Sequence, residues 1–336
     1  MPKAIALYSG GLDSSLAVLV MKRLGVDVMP VMFVTDFGCS ISRRSGYKSL
    51  FPSPEKPGIS VEKHYLGEEF FELVKNPKFG LGSNMNPCID CKALMLKKAK
   101  KIMDERGADF LITGEVLGQR PMSQRRDAFG QIEKEAGVIG LVVRPLCQKL
   151  LKPSIAEEAG LIDREKLYGF SGRSRKPQMS LAAELGLTEY PQPAGGCLLT
   201  DPTFSYRLRE LLGRNPSPAM TEIKLLRLGR HFRAEDGYKI IVGRDEQDND
   251  ALEKIASPED NILTVEGEYG TPIILAEAGI SKEGLELAAR LCVRYSSARD
   301  LPKVSVSITC NGRASQIEAS PADESEIRQF RINPPE

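Results

Sequence analysis

The sequence has no long apolar run at its start. Met1-Pro2-Lys3 leads into a short apolar stretch, Ala4 to Tyr8, which Ser9-Gly10-Gly11 cuts off. That stretch is far too short for a signal segment or a membrane span, so a cytoplasmic protein with no membrane partner is expected. Histidine is almost missing as well: His64 and His231 are the only two, and neither has metal-ligand spacing. Net charge is also slight. A formal +1 from 46 basic and 45 acidic residues gives no global case for a polyanion partner, although it leaves room for a local basic patch. Internal repeats are absent too. Seven cysteines at irregular spacing, an odd number in a long chain, argue against a disulfide framework and for thiols with a metal or redox task.

With 336 residues, 41% of them hydrophobic, the chain can bury a sizeable core and is long enough for two domains. Its first half alternates apolar strands with helices, the pattern of a mostly parallel sheet covered on both faces. Strands are expected at Lys3 to Tyr8, Val28 to Thr35, Ser60 to Leu66, Asp109 to Thr113 and Val138 to Val143. Helices are expected from about Ser14 to Leu24 and from Ile89 to Arg106. Phe37 to Gly58 reads as an irregular loop or insertion over the site. From Thr221 the rhythm shifts to short strands at Leu225 to Arg230, Tyr238 to Gly243, Asn261 to Glu266 and Thr271 to Leu275, then a helix from Ser281 to Tyr295. This predicts a small α+β domain, with domains at 1–212 and 219–325 and a disordered last dozen residues.

The first strand runs into Ser9-Gly10-Gly11-Leu12-Asp13-Ser14-Ser15. Two glycines allow a tight turn and a close approach to phosphate, and the helix behind them offers free N–H groups and the positive end of its dipole. A Walker loop needs a lysine that is missing here. Asp13 instead points to pyrophosphate-bound Mg2+ or to the loop backbone. The plain alternative is a capped strand-to-helix turn. The motif closely resembles the Ser-Gly-Gly-x-Asp-Ser of the PP-loop ATP-pyrophosphatases. That resemblance implies a doubly wound α/β sheet of the adenine nucleotide alpha hydrolase type, cleavage of ATP to AMP and pyrophosphate, and adenylation of an oxygen that a nucleophile then displaces.

Further stretches narrow the branch. Thr113-Gly114-Glu115-Val116-Leu117-Gly118-Gln119 with Ser123-Gln124, and Arg144-Pro145-Leu146 with Lys149 or Lys152, resemble the tRNA 4-thiouridine synthetases. Gly114 and Gln119 thereby join Ser9 to Ser15 as candidate ATP contacts. Asn86-Pro87-Cys88-Ile89-Asp90-Cys91 and Gly195-Gly196-Cys197 resemble the paired cysteines of the tRNA 2-thiouridine synthetases. Asp13, Cys88, Cys91 and Cys197 are therefore the candidate catalytic residues, and the three cysteines are also the candidate metal ligands.

A helix start stabilises thiolates, and three of them with no evident fourth ligand suit iron with an open position. Sulfur-transfer enzymes of this superfamily with this cysteine pattern commonly carry a [4Fe–4S] cluster. Two other readings stay open: a persulfide on Cys197 resolved by Cys88 or Cys91, and a structural zinc. The sulfur donor is a cysteine desulfurase or free sulfide.

The 4-thiouridine synthetases present tRNA through an N-terminal domain, whereas this chain opens on its first PP-loop strand, so RNA is expected to be held elsewhere. Arg173, Arg175 and Lys176 form one candidate patch, with a solvated loop as the alternative. Another lies in Gly229-Arg230-His231-Phe232-Arg233, Val242-Gly243-Arg244-Asp245 through Asn249, and Ala288-Ala289 to Arg299. These stretches resemble the RNA-binding domain of the NFACT proteins. The resemblance implies phosphate contacts from Arg227, Arg230, Arg233 and Arg244, and stacking by His231, Phe232 or Tyr238. The alternative is surface arginines balanced by Asp236, Asp245 and Glu246. Asn261 to Glu266 departs from that family, which usually has an aromatic, His-rich segment there. Together these features predict an ATP-dependent sulfurtransferase acting on tRNA or other RNA. Its rivals are a PP-loop ligase amidating a small molecule and a non-catalytic RNA-binding factor.

Overall fold

In the computed structural model, residues 1–38, 60–190 and 197–334 are described. The expected loop from Phe37 to Gly58 lies almost wholly outside them. The chain divides into two compact units, Met1–Thr200 and Asp201–Glu336. That division falls earlier than the 212–219 boundary read from the sequence, because the helix Pro202–Arg214 belongs with the second unit.

The first unit contains β1 (Lys3–Leu7), α1 (Leu12–Arg23), β2 (Asp27–Val34), β3 (Glu62–Tyr65), α2 (Gly67–Lys75), α3 (Cys88–Arg106), β4 (Phe110–Thr113), α4 (Arg126–Ala136), β5 (Val142–Val143), α5 (Ile155–Glu158) and α6 (Lys176–Glu184). Its five-stranded sheet has the order β3-β2-β1-β4-β5, and every described pairing is parallel. Side-chain alternation explains why both faces are covered. Ala4, Ala6 and Ile112 pack with Leu16, Val20 and Met21 of α1 on one face, while Ile5, Val31 and Leu111 pack with Leu96, Ala99 and Ile102 of α3 on the other. The expected strand Val138 to Val143 shrinks to Val142–Val143, because Val138 to Leu141 closes a backbone turn.

Strand order reverses between β1 and β4, which is where ligands bind in open α/β sheets. Leu7 is in register with Thr113. The Ser9 to Ser15 turn and the Gly114-Glu115 turn therefore leave the sheet side by side.

The second unit contains α7 (Pro202–Arg214), α8 (Met220–Leu225), β6 (Arg230–Arg233), β7 (Lys239–Val242), α9 (Glu246–Ile255), β8 (Asn261–Val265), β9 (Ile274–Ala276), α10 (Lys282–Arg294), β10 (Val304–Cys310), β11 (Arg313–Ala319) and α11 (Glu324–Phe330). Its sheet is antiparallel, ordered β11-β10-β8-β9-β7-β6, with Leu287, Leu291 and Cys292 of α10 in its core.

Three expectations fail here. The strand expected at Leu225 to Arg230 is instead the end of α8 and a turn: Glu222 caps the Ala219 amide at 2.8 Å, and Ile223 and Leu226, three apart, are buried on one face. The β10–β11 hairpin was not foreseen, although Asn311-Gly312 at its tip is a strong hairpin signal, with φ of 49° and 71°. The last dozen residues include α11, which Asp323 caps through the amides of Ser325 and Glu326.

Candidate active site

Gly10 sits at φ 76°, a left-handed turn that ends β1 and starts α1 at Gly11. No side chain caps α1, which leaves its first-turn N–H groups turned to whatever lies beyond the loop. The Ser14 and Ser15 hydroxyls donate back to the Gly11 carbonyl at 2.9 and 3.0 Å, so they brace the loop. Ser9 is exposed, and its hydroxyl lies 3.2 Å from that of Ser14. Leu12 is buried and anchors the turn in the core.

Gly114 faces this loop so closely that a Cβ there would lie 2.5 Å from the Asp13 carbonyl carbon and 2.6 Å from the Ser14 amide. Only glycine fits. Asp13 Oδ2 accepts from Gln119 Nε2 at 3.0 Å and is 3.8 Å from Arg175 Nη2. Buried polar atoms without a hydrogen-bond partner gather around this pair: Asp13 Oδ1, Gln119 Oε1 and Arg175 Nε, with Gln124 Oε1 further along the same turn. Buried polar atoms are ordinarily paired, so this group marks a place built for a ligand. A hard oxygen such as Asp13 Oδ1 also fits Mg2+ chemistry.

Beneath the loop, Glu115 is only 4% exposed and is held by Thr113 Oγ1 at 3.1 Å, Arg144 Nε at 3.2 Å and Lys92 Nζ at 3.6 Å. Burial pushes its carboxyl upward, but Lys92, Arg144 and the hydrogen bonds outweigh that and hold it below its ordinary value. Arg144 also pairs with Glu133 at 2.6 Å and lies 3.9 Å above the Phe129 ring. The Arg-Pro-Leu stretch thus supports the Gly-Glu turn from below. Lys92 was not anticipated, because a lysine in a helical run of lysines gives no signal.

Cys88 and Cys91 occupy the first turn of α3, one and four residues past its N-cap Pro87. Asp90 between them is structural: its carboxylate accepts the Lys78 and Phe79 amides at 2.9 and 3.2 Å. Lys92, one residue on, reaches Glu115, so the cysteine helix begins beside the Gly-Glu turn. Cys197 comes to the same neighbourhood. The Met85 amide donates to the Leu199 carbonyl at 3.0 Å and Asn84 Nδ2 to the Thr200 carbonyl at 2.8 Å, while Cys197 Sγ donates to the Phe37 carbonyl at 3.1 Å.

As a donor set, three thiols suit a [4Fe–4S] cluster. Yet among the described residues no group of three or more His, Cys, Asp or Glu side chains is gathered to hold a metal ion. Donor chemistry and chain path therefore meet the requirement, and the sulfur positions do not. Gly195 and Gly196 lie outside the described residues. Burial pushes the Cys147 and Cys292 thiols up to about 11 and about 12, as suits neutral core residues.

The basic run at 173–176 separates. Arg173 and Lys176 are exposed, whereas Arg175 is part-buried and turned to Asp13. In the second unit, Arg233 pairs with Glu210 at 2.6 Å, and Arg244 grips Asp248 at 2.5 and 3.0 Å. Arg230 lies 4.6 Å over the Tyr295 ring. His231 and Phe232 are fully buried, which corrects the expectation that they stack on a base. His231 Nε2 is 2.8 Å from the Leu228 carbonyl, and burial with Arg207 and Lys239 nearby drives its pKa well down. It is a neutral core residue.

The motif Val242-Gly243-Arg244-Asp245 through Asn249 also has structural tasks: Asp245 caps α9, Asp248 receives Gly229 N and Arg244, and Asn249 Oδ1 accepts the Ile273 amide at 2.9 Å. No helix among the described residues is long and apolar enough to cross a membrane.

Residues 1–166 match the family described as Thiamine biosynthesis protein (ThiI), and residues 229–331 match the NFACT protein RNA binding domain. A probable tRNA sulfurtransferase of Thermococcus kodakarensis is 33% identical over 119 residues, covering 35% of this chain and 30% of that one. A tRNA-specific 2-thiouridylase MnmA of Limosilactobacillus reuteri is 27% identical over 193 residues, 49% of each. The chain thus spans a third to a half of the length of these relatives. A solved 4-thiouridine synthetase with RNA and bound ATP is 23% identical over 55% of this chain and 52% of that one, with a TM-score of 0.32, too loose a fit to carry weight. Residues 1–166 are thus similar to the PP-loop, thiouridylase-like family, and residues 229–331 to the NFACT-type RNA-binding domains.

Proposed function

We propose that this protein is an ATP-dependent RNA sulfurtransferase that thiolates a tRNA base. The observation that carries the proposal is the meeting of two turns at the β1–β4 switch point, where Asp13 Oδ1 and Gln119 Oε1 are buried without partners beside the helix that begins with Cys88 and Cys91. The chemistry balances in two displacements. A base carbonyl oxygen attacks the α-phosphorus of ATP and pyrophosphate leaves; a sulfur nucleophile then attacks the activated carbon, and AMP departs with the oxygen. The uncapped α1 N-terminus and Gly10-Gly11 stabilise the charge that builds on pyrophosphate, and Asp13 is the residue that would hold an accompanying Mg2+.

Cys88, Cys91 and Cys197 present the sulfur. A [4Fe–4S] cluster would require these three thiols to be drawn together; the sulfide itself would come from a desulfurase or from solution. The NFACT-type unit supplies the RNA surface in a cytoplasmic enzyme.

Mass spectrometry of tRNA nucleosides from cells with and without the gene tests the reaction. One thionucleoside should disappear; an unchanged profile points to a small-molecule ligase instead. Anaerobically purified protein should be brown and contain iron and sulfide. A colourless, metal-free protein of full activity rejects the cluster and leaves the persulfide route.

A further inference from the structure

We propose that Arg175 is a phosphate ligand of the nucleotide site, parked on Asp13 until ATP binds, and is not part of an RNA-facing patch. The proposal rests on the nucleotide reading above. Arg175 is the N-cap residue of α6, and two backbone contacts fix the segment before it: Ser171 bridges to Leu117, and the Gly172 amide donates to the Leu117 carbonyl at 2.8 Å. Gly118, at φ 78°, packs against Gly172, where a Cβ would lie 3.4 Å from the Gly172 amide, an ordinary contact. The loop carrying Arg175 is thereby joined to the turn that carries Gln119, and both side chains point to one carboxylate.

The Arg175–Asp13 pair has the look of a contact that a better partner displaces. Its 3.8 Å separation is far from the 2.6 Å of the Arg144–Glu133 and Arg233–Glu210 pairs; Arg175 Nε is buried without an acceptor, as are Arg144 Nη2 and Arg233 Nε, so the long contact is what sets Arg175 apart. A guanidinium fork presents five donors and matches phosphate oxygens in bidentate fashion. Asp13 Oδ1 and Gln119 Oε1 are unpaired in the same place, and Gln178, three residues along from Arg175, is fully buried with both amide atoms unpaired. Nucleotide phosphate would exchange the long Asp13 contact for charge-assisted bonds and release the Asp13 carboxylate toward the phosphate-bound cation. Arg173 and Lys176, exposed on either side, have no such arrangement.

The test uses the full chain with ATP·Mg2+ alone for calorimetric binding, with bulk tRNA alone for RNA binding, and with both plus sulfide for turnover. Arg175→Ala should weaken ATP binding and raise KM for ATP by about tenfold or more, with tRNA affinity unchanged. Arg175→Lys should recover part of the loss, because it restores charge without the fork. Melting curves that match the wild type show that both variants are folded. An Arg175→Ala variant with unchanged ATP binding, or one that loses tRNA affinity and keeps ATP binding, overturns the assignment and leaves the nucleotide reading standing. A wild-type chain that binds no ATP overturns both.

Discussion

Two turns in this protein have the same plan, a buried strand, a glycine, then an acidic residue in the first turn of a helix, and their hydrogen bonds end differently. After β1, Asp13 keeps Oδ1 buried and unpaired, with unpaired Gln119 and Arg175 atoms nearby. After β7, Asp248 is fully buried and receives four hydrogen bonds, from Gly229 N, Arg244 N, Arg244 Nε and Arg244 Nη2. The first turn holds polar capacity in reserve for something that arrives; in the second, the Asp248 carboxylate is spent on the fold. A recognisable motif therefore marks a ligand site only where its polar atoms are left over.

Breaking the two acids should separate these roles. Asp13→Ala should lower turnover on the order of a hundredfold or more and shift the melting temperature by only a few degrees, as activity assays and calorimetry on one preparation would show. A variant that unfolds while its residual activity per folded molecule stays normal would make Asp13 structural.

Beneath the first turn the effect should reverse. Arg144→Met strips the buried Glu115 of one of its two cations and should destabilise the first unit by about 3–5 kcal/mol. Because the folded protein holds Glu115 below its ordinary value, its stabilising contribution is present above the unfolded-state pKa and is lost as pH falls through the lower folded one. Denaturant titrations across that acid window should show a stability loss that the Glu115→Gln variant lacks.

Asp248→Ala should cost about 2–3 kcal/mol, seen as faster hydrogen exchange in β6 and β7, because the part-buried Arg244 can turn to water once its acceptor is gone. ATP affinity should not change; if it does, the two turns are not independent.

Much of this was legible in the chain. The β1 turn, the Gly-Glu turn and the cysteine helix were readable because each depends on local backbone chemistry: a left-handed glycine, a helix start, an apolar strand. The second unit was harder. Its hairpin and last helix were missed, although Asn311-Gly312 and Asp323 announced them. The leucines before β6 read as a strand because a short apolar run does not show its period.

By itself the sequence determined that a glycine turn would meet a helix start at the end of a buried strand, since only neighbouring residues take part. Only the tertiary structure decided which polar groups the fold would use up. Arg175 and Arg244 look alike in sequence, and so do His231 and any surface histidine. One arginine meets a carboxylate at 3.8 Å with its Nε unpaired, the other is clamped at 2.5 Å, and the histidine is sealed in the core. Partners far along the chain set those differences through burial and pairing, which no local pattern encodes. The glycine loop at Ser9 to Ser15 was present in the sequence, and its unpaired surroundings were made by the fold.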